Sequence, residues 1–150
     1  MSVSPTVVSL SSKYEVPTAN PFEPGSRSHD LVLVIEDDDH VADIVERILS
    51  RLGKRVLRAC DGAEGAQLFA EYEAEIALVM LDCCLPDING TALCRVLRRH
   101  APRLPVILTS GWDNEGARSL AEEGPTVFLP KPFFPAQVAA QVAALLGTIA

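Results

Sequence analysis

The sequence predicts an α/β protein in which a parallel five-stranded sheet carries helices on both faces. Apolar runs of strand length alternate five times, between residues 31 and 146, with segments whose apolar residues recur at helical spacing. The apolar runs are continuous, which is typical of strands buried on both faces. The segments between them are long enough to hold the helical crossovers that join parallel strands, and such crossovers are right-handed.

The first two strand–helix units show this pattern clearly. The run LVLVI at residues 31–35 predicts the first strand. The helix after it is indicated by one apolar stripe, formed by Val41, Ile44, Val45, Ile48, Leu49 and Leu52. Asp38 or Asp39 is expected to cap that helix. Residues 55–60 then predict the second strand, and residues 63–72 predict the second helix.

The remaining elements continue the alternation. Strands are predicted at 76–81, 105–110 and 126–130, and helices at 91–100, 114–123 and 135–146. In the third helix Leu93, Val96 and Leu97 are expected to face inward, and Pro135 suits the first turn of the last helix. Five strands joined in this way leave few topologies. The preferred one is the doubly wound, flavodoxin-like order 2-1-3-4-5.

Composition limits the location and the partners of the protein. The net charge is −7 and the isoelectric point is near 4.9, which argues against a nucleic acid partner. The basic run at 95–100 is expected to be a solvated helix face. Four cysteines without CxxC spacing indicate a reducing compartment and buried, inert thiols. No apolar run approaches the ~20 residues that cross a bilayer, so we expect no membrane association and a cytoplasmic location.

Two domain regions are predicted. Residues 1–29 contain seven serines and four prolines without sustained periodicity, and are expected to form a flexible N-terminal tail. A partner-binding segment around Val7, Val8 and Leu10 is the alternative for this region. Residues 30–150 form the predicted folded domain.

Polar side chains stand where the predicted strands end. Glu36 and Asp37 follow the first strand, Asp82 the third, Ser110 the fourth and Lys131 the fifth. In a parallel sheet these ends share one edge, so the carboxylates converge and require a positive partner. Lys131 and Mg²⁺ are both candidates, and such a site suits phosphoryl transfer with Asp82 as the nucleophile. The alternative is that the acids only cap helices and turns.

Four motifs resemble the receiver domain of two-component response regulators, over roughly residues 30–147. They are LVLVIEDDDHV, VMLDCCLPDING, LPVILTSGW and VFLPKPF. In this resemblance Asp82 falls on the phosphoacceptor, and Pro86 and Gly90 shape the loop that follows it. Pro132 falls on a position that is often a cis proline.

The resemblance implies a mechanism. Mg²⁺ is held by Asp37, by Asp82, by Glu36 through water, and by the backbone carbonyl of Cys84. Asp82 takes a phosphoryl group from the phosphohistidine of a sensor histidine kinase or a phosphotransfer protein. Lys131 and Ser110 bind that group, while Phe128 turns inward. The face formed by the fourth helix, the fifth strand and the fifth helix is then remodelled for a downstream protein target, and a homodimer is a further expectation.

Some residues depart from the usual pattern of the family. Cys84 and Trp112 flank the path of the attacking water, so we expect both to alter the lifetime of the phosphoryl group. Phe128 lacks the hydroxyl of the commoner tyrosine. Because the sequence stops just after the last predicted helix, the expectation is a single-domain regulator or a receiver fragment of a longer protein.

Two other functions compete with this interpretation. A haloacid dehalogenase-type phosphatase would use Asp37 in DDDHV, but its chemistry needs an acid pair after the lysine, and no acid follows Glu123. A receiver-like adaptor would bind partners without being phosphorylated. In the preferred interpretation the protein is not an enzyme, apart from catalysing its own phosphorylation and dephosphorylation.

Overall fold

The computed structural model describes residues 30–112 and 114–147, in which five strands alternate with five helices. The strands are β1 (Leu31–Ile35), β2 (Arg55–Ala59), β3 (Ile76–Asp82), β4 (Val106–Ser110) and β5 (Thr126–Pro130). The helices are α1 (Asp39–Arg51), α2 (Gly62–Tyr72), α3 (Gly90–His100), α4 (Glu115–Leu120) and α5 (Pro135–Leu146). The predicted N-terminal tail at 1–29 lies outside the described residues.

The predicted fold class is confirmed. All neighbouring strands pair in parallel, and the sheet order is β2-β1-β3-β4-β5. Among the described residues, none of the helices combines the length and the apolar character needed to cross a bilayer.

Each face of the sheet packs against its own layer of helices. The side chains of β1 divide between two cores, with Leu31, Leu33 and Ile35 in one and Val32 and Val34 in the other. The first core also buries side chains from α2, α3 and α4, and the second buries side chains from α1 and α5. Because both faces of the strands are covered, the sequence carries uninterrupted apolar runs.

Side-chain caps define where several helices begin. The Asp38 carboxylate accepts hydrogen bonds from the amides of His40 and Val41, at 2.9 and 3.3 Å. This confirms one of the two caps expected for α1. Asn89 caps α3 through the amide of Thr91 at 2.8 Å. These caps fix the points at which the chain leaves the carboxyl edge of the sheet.

Three side chains predicted on apolar helix faces are exposed instead. Ile44, Leu52 and Val96 keep 50%, 38% and 39% of their surface in solvent. Ile44 lies in a groove against α5, where Ala136 and Ala139 are too small to cover it. The predicted helix at 114–123 was too long, since α4 ends at Leu120 and the chain continues in turns.

Candidate functional site

Three carboxylates form an acidic cluster at the carboxyl edge of the sheet. Strands β1 and β3 are neighbours, with Ile35 opposite Leu81, so Glu36 and Asp82 leave the sheet side by side. Glu36 and Asp82 are buried, whereas Asp37 is exposed. One oxygen from each of Glu36, Asp37 and Asp82 lies within 4.8 Å of the others. The strand ends that the sequence placed at one edge therefore meet.

Lys131 brings a positive charge to this cluster from the end of β5. Its ammonium nitrogen, Nζ, lies 3.0 Å from Oε1 of Glu36 and 3.3 Å from Oδ2 of Asp82. Its backbone amide donates to the carbonyl of Ser110 at 2.8 Å. The peptide bond from Lys131 to Pro132 is cis, as the resemblance implied.

The charges in the cluster perturb one another. Burial raises the pKa of Glu36 to about 7, and the charge of Asp82 adds to that rise against the lowering effect of Lys131. Burial disfavours the Lys131 ammonium, but its bonds and proximity to Glu36 and Asp82 outweigh this and raise its pKa. The cluster thus combines three carboxylates with one ammonium, which contacts two of them, Glu36 and Asp82.

This donor set fits a magnesium ion. Mg²⁺ prefers oxygen ligands, is commonly bound through one or two carboxylates, and keeps several of its waters. The cluster offers oxygens alone, and the exposed side of Asp37 leaves room for water.

The loop between β3 and α3 contacts the second carboxylate oxygen of Asp82, Oδ1, through a backbone amide. The amide of Cys84 donates to Oδ1 of Asp82 at 3.0 Å, and Cys84 pairs with Asn89 across the loop in an isolated β-bridge. The amide of Gly90 donates to the carbonyl of Cys83 at 2.9 Å, which brings the start of α3 against the end of β3. Pro86 is exposed on this loop.

Ser110 and Trp112 occupy the neighbouring strand end. Ser110 is fully buried, and its hydroxyl oxygen accepts a hydrogen bond from the amide of Trp112 at 3.3 Å. The indole of Trp112 is 66% exposed. Asp82 pairs in register with Thr109, so Ser110 lies one residue beyond the neighbour of Asp82.

Phe128 lies on β5, part-buried against the first core. The guanidinium carbon of Arg118 on α4 lies 5.0 Å from the centre of its ring. A cation over an aromatic face is attracted to it electrostatically. Arg118 therefore lies over the ring of Phe128 from the α4 side.

The prediction of four buried thiols was wrong for two of them. Cys83 and Cys94 are buried, whereas Cys60 and Cys84 are exposed. Burial raises the pKa of the Cys83 thiol to about 12, and the charge of Asp82 adds to this. Cys83 is therefore a protonated packing residue, whereas the thiol of Cys84 is open to solvent beside Asp82.

Sequence reasoning missed the long-range polar contacts around the site. Arg58 on β2 bonds to Asp43 and Glu46 of α1, at 2.6 and 3.0 Å. Asp87 accepts hydrogen bonds from the first two amides of α2. These contacts join residues 12 to 25 positions apart, so no local sequence pattern predicts them.

Comparison with known proteins gives a consistent result. The family model of the response regulator receiver domain matches residues 32–143. The transcriptional regulatory protein GltR of Pseudomonas aeruginosa is 36% identical over 118 residues, which cover 77% of this chain and 48% of GltR. The sensor kinase CckA of Brucella abortus is 34% identical over 116 residues, 77% of this chain and 12% of CckA.

A solved structure supports the same likeness. The receiver domain of NtrX from Brucella abortus is 30% identical with a TM-score of 0.71, and the match covers 79% of this chain and 99% of that domain. The chain spans about half the length, or less, of the curated relatives described here, GltR and CckA.

Proposed function

The chain belongs to the receiver domains of two-component response regulators, and from that premise we propose that it accepts a phosphoryl group on Asp82. The donor is the phosphohistidine of a sensor histidine kinase or of a phosphotransfer protein. The family is a signalling family, and neither the phosphatase nor the unphosphorylated adaptor is favoured.

One observation carries this proposal. The Lys131 ammonium lies within 3.3 Å of Asp82 and also contacts Glu36, so a buried nucleophilic carboxylate sits beside a fixed positive charge. A turn-forming aspartate needs neither burial nor such a partner. A carboxylate that receives a phosphoryl group needs both positioning and neutralisation of the incoming negative charge.

The chemistry follows from the side chains present. An oxygen of Asp82 attacks phosphorus and forms an acyl phosphate, while the bond from phosphorus to the donor nitrogen breaks and its electron pair stays on the imidazole. Lys131 moves its contact from the Asp82 carboxylate to the oxygens of the bound phosphoryl group. The Cys84 amide, which already reaches Asp82, fixes the orientation of the carboxylate during the attack.

The acidic cluster would hold Mg²⁺ through Asp37 and Asp82, with Glu36 acting through water and the backbone carbonyl of Cys84 completing the protein ligands. When bound, the ion supplies positive charge that balances the phosphoryl oxygens. Asp37 is the exposed member of the cluster and leaves an open side for these oxygens.

We also propose that phosphorylation reaches the face formed by α4, β5 and α5 through Ser110 and Phe128. To bind the phosphoryl group, the Ser110 hydroxyl moves toward Asp82 and donates its hydrogen, which the bond accepted from the Trp112 amide leaves free. The space that it leaves lets Phe128 turn inward, away from the Arg118 guanidinium. A change at the pocket thereby biases a two-state surface that a downstream protein reads. A homodimer stays a prediction, and light scattering measures it.

Acetyl phosphate with Mg²⁺, followed by intact-mass measurement, tests phosphorylation. The expected result is a gain of one phosphoryl group in the natural protein and no gain in Asp82→Asn, which preserves the shape of the side chain. Failure of the natural protein to gain mass, together with a failure to accept phosphate from any histidine kinase of its genome, would support the adaptor. Repeated turnover of a phosphomonoester would support the phosphatase.

The residues around the pocket are proposed to set the lifetime of the acyl phosphate. Cys84 and Trp112 are both exposed, and they stand two residues after Asp82 and Ser110 in the sequence, so we expect water to pass them on its way to Asp82. Replacing Cys84 by Asn offers that water a hydrogen-bonding amide and is expected to change the dephosphorylation rate by several-fold. The loss of the phosphorylated mass over time measures it, and Cys60→Asn at the end of β2 is the matched control. An unchanged rate in Cys84→Asn contradicts the assignment.

A further inference from the structure

Asp87 ties the loop after the phosphoacceptor to a different helix. Its two carboxylate oxygens accept hydrogen bonds from the amides of Gly62 and Ala63, at 2.8 and 2.9 Å. These amides belong to the first turn of α2, and they have no partner within a helix. Together they lower the pKa of Asp87, because hydrogen bonds from amides favour the charged carboxylate.

The helix has a cap of its own, and that cap serves a different amide. Asp61 immediately precedes α2, and its carboxylate accepts from the amide of Glu64 at 2.8 Å. Asp87 thus supplies the two bonds that Asp61 does not make. The first turn of α2 is completed by a residue 25 positions further along the chain.

Steric fit reinforces this contact. A Cβ on Gly62 would collide with Cγ2 of Ile88 and lie 3.1 Å from Oδ1 of Asp87. A larger residue at this position would force the side chain of Ile88 to shift, so glycine suits the close approach of the loop to the helix. The loop is therefore docked on α2 by two hydrogen bonds and by direct packing.

The other end of the same loop carries the groups that orient Asp82. The Cys84 amide bonds to Asp82 at 3.0 Å, and the bridge between Cys84 and Asn89 closes the loop on either side of Asp87. Gly90 then returns the chain to the end of β3. The loop is thus anchored at the pocket and, five residues after Asp82, on α2.

We infer that Asp87 is a positioning residue for the acidic cluster, and that it acts through the loop that presents the backbone of Cys84 to Asp82. Its carboxylate holds the far side of the loop against α2, so that the near side keeps its register with the phosphoacceptor. The expected effect of Asp87 on the binding of Mg²⁺ and phosphate rests on the proposed function. The positioning itself is a property of the loop in the absence of any ligand.

The test compares Asp87→Ala with Asp61→Ala. Both variants remove a carboxylate cap from the first turn of α2, but only Asp87 belongs to the loop. We expect each to lower the midpoint of thermal unfolding by about 4 °C, as for the loss of a helix cap. Asp87→Asn, which keeps one acceptor oxygen, is expected to retain part of the function and to serve if Asp87→Ala does not fold.

Two measurements separate positioning from stability. Hydrogen exchange of the Cys84 and Gly90 amides without metal is expected to quicken in Asp87→Ala and to stay unchanged in Asp61→Ala. Titration with MgCl₂, followed by the fluorescence of Trp112, the single tryptophan of the chain, is expected to show affinity about tenfold weaker in Asp87→Ala. Asp61→Ala is expected to stay within about twofold of the natural protein.

The outcomes also distinguish the two proposals. Equal exchange at Cys84 and Gly90 in the two alanine variants overturns the positioning role. If the natural protein binds no Mg²⁺ and accepts no phosphate, the proposed function fails, and the exchange measurement still decides the role of Asp87.

Discussion

Gly90→Ala is expected to be strongly destabilising because the start of α3 presses against the backbone of β3. A Cβ at this position would collide with the carbonyl oxygen of Asp82 and would lie 2.6 Å from the Cα of Cys83. Those atoms cannot yield as a side chain would, since Asp82 pairs with Thr109 in the sheet and the Cys83 amide donates to the Thr109 carbonyl at 2.8 Å.

The magnitude follows from the kind of atoms in contact. Overpacking costs about 1–3 kcal/mol, and contact with fixed backbone puts Gly90→Ala at the upper end, about 3 kcal/mol. Gly111→Ala is the matched control, because a Cβ there meets nothing within 4 Å and Gly111 is not among the glycines with positive φ. That variant is expected to be neutral or more stable by about 0.4–1 kcal/mol, through the unfolded chain.

Urea unfolding followed by circular dichroism measures both variants. A difference of about 3 kcal/mol or more between Gly90→Ala and Gly111→Ala is expected. If Gly90→Ala lowers the free energy of unfolding by less than about 1 kcal/mol, α3 can shift away from β3. The close approach of α3 to β3 would then not fix the conformation of the loop after Asp82.

Two further variants probe the charges near the site. Lys131→Met, measured in EDTA, is expected to cost about 3 kcal/mol at pH 8 and less at pH 5.5. The stability that the raised pKa of Glu36 contributes is present below about pH 4.5 and lost as the pH rises through about 7. Removing the ammonium raises this pKa further, so the loss is larger at pH 8, where Glu36 is charged. Urea unfolding at both pH values measures the losses, with Lys54→Met as control, and equal losses would contradict this reasoning. Arg118→Leu and Phe128→Leu, combined in a double-mutant cycle, are expected to show a coupling of about 0.5–1 kcal/mol; additive losses would mean that the guanidinium does not hold the ring.

The strands and the shared edge of the sheet could be predicted because both depend on local signals. A continuous apolar run predicts a strand that is buried on both faces of the sheet. The residue that follows the run is then expected at the carboxyl edge of the sheet. Glu36, Asp82 and Lys131 were therefore placed together correctly, although no local pattern states that the ammonium lies 3.0 Å from Glu36.

Contacts that depend on neighbouring elements could not be predicted in the same way. Ile44 has the spacing of a core residue, but its exposure depends on the small alanines of α5 opposite it. Cys83 and Cys84 both follow the end of β3, yet the first is buried and the second is exposed, and the sequence does not distinguish them. Asp87 looks like a turn residue until α2 is placed beside it.

The adjacent thiols of Cys83 and Cys84 are expected to differ in reactivity, because the first is buried and the second is exposed. Cys83 is buried, and burial raises the pKa of its thiol to about 12, so we expect alkylating reagents to leave it intact. Cys84 faces solvent at the mouth of the pocket. A maleimide dye on Cys84, with Cys60 replaced by serine, would put a bulky group over Asp82 and give a chemical means of blocking the protein at one site.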